Sequence, residues 1–203
     1  MLANFDLSGM SAVVLDDNPQ MRAILRSILN GVQIRNVTEF SEPFSVLEHL
    51  ETHHVDVAIL DLVLQGDIDG LKLSRAIRHD SKIVNPTIPI VMVTGYASMS
   101  VIDQAINSGV DELVTKPLRA RDLMIRVEKV INRPHAYIQT PSNYFGPDRR
   151  RRQASHFNGP NRRKIDKATS VNGVMPKHID YASMVPDQTV EKRMVEDSRV
   201  ELD

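Results

Sequence analysis

The chain has 203 residues, enough for one ordinary domain with an appendage or for two small ones. Its 25 Lys/Arg and 26 Asp/Glu leave a formal net charge of −1, so the average charge points to no partner. The absence of Cys excludes disulfides, thiolate metal sites and Cys nucleophiles together, which fits a reducing compartment. The amino-terminal residues lack the basic and apolar stretches of a secretory signal. No apolar run approaches the roughly 18 residues that cross a bilayer, so the expected location is cytoplasmic.

Charge is unevenly divided. Residues 133–203 hold 13 basic and 9 acidic side chains, whereas 1–132 hold 12 and 17, net +4 against −5. Up to about residue 132 short apolar runs alternate with helix-period segments. Ser11–Leu15 reads as a strand, and Pro19 opens a helix whose stripe is Met21, Ile24, Leu25, Ile28 and Leu29, stopped at Gly31. A weaker strand follows at Ile34–Phe40, then a helix from Ser41-Glu42-Pro43 with Phe44, Val46, Leu47 and Leu50 on its apolar face. Val55–Leu60 is a strong strand, and Gly70 precedes a helix carrying Leu71, Leu73, Ala76 and Ile77. Ile88–Val93 is nearly all apolar, as a strand covered on both faces should be. Ala97–Ser108 is a helix ending at Gly109, Val110–Thr115 a short strand, and Arg119–Asn132 a last helix. Five strand–helix units in strict alternation imply an α/β fold: a doubly wound, five-stranded parallel sheet with helices on both faces.

From Pro134 the periodicity stops. The run Tyr144-Phe145-Gly146-Pro147-Asp148-Arg149-Arg150-Arg151-Arg152 is echoed by Phe157-Asn158-Gly159-Pro160-Asn161-Arg162-Arg163-Lys164. Two copies are too few for a repeat architecture. The expectation for 133–203 is an Arg-rich, low-complexity tail that is largely disordered, with a frayed acidic helix at Gln188–Leu202. Its arginine clusters and interleaved aromatics allow three readings: a solvated tail, a protein-docking segment, or a contact with nucleic acid or an anionic surface.

The chemistry lies at the strand ends. Asp16 and Asp17 close the run Ala12-Val13-Val14-Leu15, and Asp61 closes Val57-Ala58-Ile59-Leu60. Parallel sheets present the carboxyl ends of their strands to ligands, so these three carboxylates meet at one rim. Three close negative charges repel unless a cation sits among them, and oxygen-only donors select a hard ion, Mg²⁺ foremost. Thr94 and Lys116 end two further strands. Three carboxylates, a hydroxyl and an ammonium describe a phosphoryl-transfer site in which a carboxylate is the nucleophile. Each piece has a blander reading: Asp16-Asp17 as a helix-capping pair, Thr94 as a turn residue, Lys116 as a surface lysine, and His53-His54 as a solvated helix end.

The segments Val-Val-Leu-Asp-Asp-Asn-Pro (13–19), Ile-Leu-Asp-Leu (59–62), Val-Thr-Gly (93–95) and Thr-Lys-Pro-Leu (115–118) resemble, in order and spacing, the receiver domain of bacterial two-component response regulators. The resemblance covers about 8–132. It implies a flavodoxin-like sheet of order 2-1-3-4-5, with Asp61 as phosphoacceptor. Asp16 and Asp17, with Asp61 and the backbone carbonyl of Val63, would hold Mg²⁺. Thr94 would be the switch hydroxyl and Lys116 the phosphoryl-contacting lysine, followed by a peptide bond to Pro117 that is often cis. It also implies a histidine kinase or histidine phosphotransfer protein as donor, a downstream protein target, the possibility of a homodimer, and catalysis limited to self-phosphorylation and self-dephosphorylation. Three departures stand out. Leu113 occupies the place of the family's aromatic switch residue, and it supplies neither hydroxyl nor ring. Tyr96 sits where a side chain can shade the pocket. The loop Leu64–Gly70 lacks the common Pro and is one residue longer than usual. Two other functions compete: a nucleic-acid-binding regulator working through the Arg-rich tail with the receiver as gate, and a phosphatase of the haloacid dehalogenase type. The second needs Asp-x-Asp, whereas the candidates read Asp16-Asp17-Asn18 and Asp61-Leu62-Val63.

Overall fold

A computed structural model describes residues 7–66, 68–149 and 169–170. Strands and helices alternate as β1 Ser11–Leu15, α1 Pro19–Gly31, β2 Asn36–Phe40, α2 Pro43–Thr52, β3 Val57–Asp61, α3 Gly70–His79, β4 Ile90–Thr94, α4 Met99–Asn107, β5 Glu112–Thr115 and α5 Ala120–Asn132. The five strands form one parallel sheet in the order β2-β1-β3-β4-β5. Fold class and strand order are those the sequence implies.

Alternation along each strand divides the core into two layers. Val13, Leu15, Ala58, Leu60, Ile90 and Met92 face one way and pack with Val46, Leu50, Leu73 and Ile77 from α2 and α3. Ala12, Val14, Val57, Ile59, Val91 and Val93 face the other and pack with Leu25 and Leu29 of α1 and Leu123, Val127 and Val130 of α5. The centres of the helix stripes read from sequence are buried, but Ile24 of α1 and Phe44 of α2, expected on the core-facing stripes, stand 48% and 57% exposed at their margins.

Element edges differ where a cap or turn decides. Ile34 lies in the turn that closes α1 rather than in a strand: its N–H donates to the Leu29 carbonyl after a left-handed residue at Gln33 (φ 72°). Helix α4 starts at Met99 instead of Ala97 because the Ser98 hydroxyl accepts the Val101 N–H and caps it. Helix α3 starts on a glycine for a steric reason. A Cβ on Gly70 would stand 2.2 Å from the backbone carbonyl oxygen of Asp61, so only glycine lets α3 begin so close to the end of β3.

The largest difference lies just beyond α5, where the sequence reading expects no element. Residues Tyr137–Gln139 (β6) and Phe145–Pro147 (β7) form an antiparallel hairpin, and Thr169–Ser170 (β8) pairs with the other edge of β6. Tyr137, Ile138 and Phe145 are buried, and the Phe145 ring meets His79 edge-on at 6.1 Å between centroids. Gly109 (φ 78°) and Gly146 allow the hairpin to dock: their backbones are so close that a Cβ on Gly109 would lie 2.7 Å from the Phe145 carbonyl oxygen. Over these residues the expected disordered tail is instead packed structure. Three anchors without periodicity suffice for it, and a search for periodic stripes does not register them. The second aromatic–Gly–Pro copy, Arg150–Arg152 and the frayed helix expected at Gln188–Leu202 lie outside the described residues.

Candidate functional site

The carboxyl ends of β1 and β3 lie side by side, with Leu15 in register with Leu60. This register brings Asp16, Asp17 and Asp61 together, with one oxygen from each within 4.8 Å of the others. Among the described residues they are the one group of three or more such side chains able to share an ion. Asp16 and Asp61 are buried and Asp17 is half-buried. One Asp16 oxygen accepts the Asn18 N–H at 2.9 Å, and Asn18 in turn caps α1 through the N–H groups of Gln20 and Met21.

Lys116 reaches in from the end of β5, its Nζ 2.8 Å from Asp61 and 3.3 Å from Asp16. It follows a main-chain bond from its N–H to the Thr94 carbonyl and precedes a cis peptide bond to Pro117. One ammonium against three carboxylates leaves the pocket negative. Burial pushes the Asp61 carboxyl above its ordinary range, and the Asp16 charge adds to this; the Lys116 hydrogen bond and charge only partly offset them. For Lys116 burial acts downward, but the Asp61 and Asp16 carboxylates outweigh it and hold the ammonium above its usual value. The donor set fits a small hard divalent cation: all oxygens, partly desolvated, and short of positive charge.

Thr94 is buried at the end of β4, one residue past Val93, which is in register with Asp61, and is itself in register with Thr115 of β5. Its hydroxyl donates to the Tyr96 carbonyl at 2.8 Å and accepts the Tyr96 N–H at 3.2 Å, so it is engaged with its own loop rather than with the acids. The Val63 N–H makes a long bond of 3.5 Å to Asp61, and the Val63 side chain is exposed. Leu113 is half-buried against the α3-side core, the Tyr96 side chain is exposed two residues past Thr94, and Met99, first residue of α4, is exposed as well. His53 does not pair with His54 in any site. It stacks on His49, 4.2 Å between ring centroids, while His54 lies 3.9 Å from Asp56.

The sequence reading missed two arginines. Arg22, on the second turn of α1, donates from Nη1 to the main-chain carbonyls of Asp16 and Asp17. Its signal was a cation five residues beyond the acidic pair. Arg78, fully buried at the end of α3, belongs to a second cluster at the opposite end of the sheet. It donates to the carbonyls of Gly109, Pro86 and Ile88 and to the Asp111 carboxylate at 2.9 Å, and stands 5.0 Å over the Tyr137 ring. Asp111 also accepts the Ile90 N–H and the Tyr137 hydroxyl. Burial raises the Asp111 carboxyl above its ordinary value against the pull of Arg78 and those two donors, and burial raises the Tyr137 hydroxyl as well. Arg149 closes the hairpin by donating to the Asp111 carbonyl at 2.8 Å and to that of Val110. Nothing in the spacing of Arg78 separates it from a surface arginine.

A family model described as "Response regulator receiver domain" matches residues 12–128. Among curated proteins, the heme response regulator HssR of Staphylococcus saprophyticus is 30% identical over 128 residues, covering 63% of this chain and 54% of that protein. HssR of Staphylococcus aureus strain Newman is 31% identical over 126 residues, covering 61% and 52%. The chain thus spans about half the length of the curated relatives it matches. Among solved structures, a two-component response regulator from Clostridium difficile aligns with a TM-score of 0.54 at 25% identity, covering 61% of this chain and 97% of that one. The receiver domain of the sensor histidine kinase PA1611 from Pseudomonas aeruginosa, solved with a magnesium ion in its active-site cleft, aligns with a TM-score of 0.53 at 21% identity, covering 61% and 99%. No helix among the described residues is long and apolar enough to cross a membrane.

Proposed function

The chain belongs to the response regulator receiver domain family, and from that premise we propose that it is a phosphorelay switch whose acceptor is Asp61. A histidine kinase or histidine phosphotransfer protein is the donor. The observation that carries this reading is the pocket itself: three carboxylates within 4.8 Å of one another, faced by a single ammonium 2.8 Å from Asp61.

An Asp61 oxygen attacks phosphorus, the O–P bond forms as the donor's N–P bond breaks, and the donor imidazole nitrogen leaves with the electron pair and takes up a proton. Lys116, already on Asp61, neutralises phosphoryl oxygens as the new bond forms. Asp16, Asp17, Asp61 and the Val63 carbonyl would hold Mg²⁺, which when bound supplies positive charge for an anionic nucleophile meeting an anionic electrophile. Thr94 turns from the Tyr96 carbonyl to donate to the phosphoryl group, and that exchange is the conformational signal. Water reverses the modification by attacking the acyl phosphate, so the catalysis is self-phosphorylation and self-dephosphorylation. The signal is read by a downstream protein, with dimerisation as one form of output, in the cytoplasm. The folded receiver unit runs from about residue 8 through the hairpin to 149, with an Arg-rich tail beyond it.

The tail-driven nucleic-acid reading receives less support: Arg149, first of the basic run, is occupied by the Val110 and Asp111 carbonyls. Incubation with acetyl phosphate labelled in its phosphoryl group tests the assignment. Label should enter the wild-type chain only with Mg²⁺ present and should be lost in Asp61→Asn; labelling that persists in that variant would falsify it.

A further inference from the structure

The main-chain carbonyls of Asp16 and Asp17 fall between β1 and α1, where neither ladder nor helix takes them up, and buried carbonyls need partners. One guanidinium nitrogen serves both: Arg22 Nη1 lies 2.8 Å from the Asp16 oxygen and 3.3 Å from that of Asp17. The Arg22 side chain is four-fifths buried. It is held from behind by Glu39 of β2, whose Oε2 is 3.6 Å from the Arg22 Nε and whose Oε1 is 2.9 Å from Arg26. Glu39 itself is fixed by the register of Val14 with Glu39 across β1 and β2. A continuous connection therefore runs from the neighbouring strand through a planar fork to the backbone of both acidic residues.

We propose that Arg22 is a positioning residue that sets the Asp16-Asp17 loop for metal binding; this rests on the reading of Asp16, Asp17 and Asp61 as the metal-holding set. The direction of its effect separates the proposal from simple electrostatics. A cation near three carboxylates repels an incoming Mg²⁺, so by Coulomb's law its removal should tighten binding. The guanidinium is directed at carbonyls, so as a positioning group its removal should weaken binding instead. Lysine, a point charge without the fork, cannot hold Glu39 through one nitrogen while another bridges the two carbonyls.

Isothermal titration of the full chain with Mg²⁺ alone tests this. Groups that orient metal ligands typically change metal affinity by about 10–100-fold when removed. Arg22→Met should raise the Mg²⁺ Kd by about tenfold, and Arg22→Lys should weaken it too although the charge is kept. Arg26→Met, which removes a neighbouring charge but no carbonyl contact, should not weaken it. Labelling rates extrapolated to saturating Mg²⁺ should stay near wild type in Arg22→Lys, the shift appearing in the Mg²⁺ needed for half-maximal rate. An unchanged or tighter Kd in the folded Arg22→Lys chain overturns the proposal. Wild-type chain that takes up no Mg²⁺, or Asp17→Asn and Asp61→Asn chains that bind it as well as wild type, overturns the underlying site reading instead.

Discussion

The two ends of the sheet carry two buried clusters of carboxylate and cation, built on opposite rules. At the amino end, Asp111 has Arg78 at 2.9 Å, the Ile90 N–H and the Tyr137 hydroxyl, and the hairpin seals the group. At the carboxyl end, Lys116 is shared between Asp61 at 2.8 Å and Asp16 at 3.3 Å, and with Asp17 beside them three carboxylates face one ammonium. Charge at the first end is matched one to one; at the second it is left in excess where solvent and ligand can reach. A matched, closed cluster holds structure together, while an unmatched, open one binds something.

Breaking the closed cluster should cost most. Arg78→Met strands the Asp111 carboxylate and should lower unfolding free energy by about 3–5 kcal/mol in urea melts, with part recovered on adding Asp111→Leu. Ending the chain after Asn132 removes Tyr137, Ile138, Phe145 and the cover over Arg78, and should cost about 2–4 kcal/mol net of the ordering entropy saved. Ending it after Arg149 should cost little, and equal melts for the two truncations would contradict the hairpin's role. Tyr137→Phe removes one donor to a charged acceptor and should cost about 1.5–3 kcal/mol.

The open cluster should respond with the opposite sign. Asp61→Asn relieves a buried charge held beside Asp16, so without Mg²⁺ it should stabilise the chain by about 1 kcal/mol, read as a higher urea midpoint. The same excess charge sets a pH dependence. Since the folded-state carboxyl of Asp61 lies above its unfolded value, the folded chain holds that proton more tightly, and stability falls as pH rises from about 4 through the raised value. Asp111 is shifted the same way, so the Asp61 part is the difference between wild type and Asp61→Asn. If the two chains share one stability–pH curve, the open cluster is not strained.

The sequence exposed the open cluster and hid the closed one, for a physical reason. Asp16, Asp17, Asp61, Thr94 and Lys116 each end an apolar run, and strict βα alternation collects strand ends at one rim, so their meeting follows from topology. Arg78, Asp111 and Tyr137 meet through helix ends, turns and a non-periodic extension, whose contacts carry no spacing rule. Gly109 was legible as a helix end and Tyr144-Phe145-Gly146-Pro147 as half of a degenerate repeat, but the close approach of Gly109 to Phe145 was in neither pattern. Arg22 and the His49–His53 stack were missed similarly: each is an (i, i+4) or longer relation between polar residues, easily read as surface.

The central claim is that the unmatched pocket makes Asp61 the phosphoryl acceptor. Borohydride reduces an aspartyl phosphate to homoserine, so the chain can be incubated with acetyl phosphate and Mg²⁺, reduced, digested and mapped by peptide mass. Homoserine at position 61, absent when Mg²⁺ is chelated, is the predicted result. Homoserine at another acidic position, or none while label is retained, contradicts it.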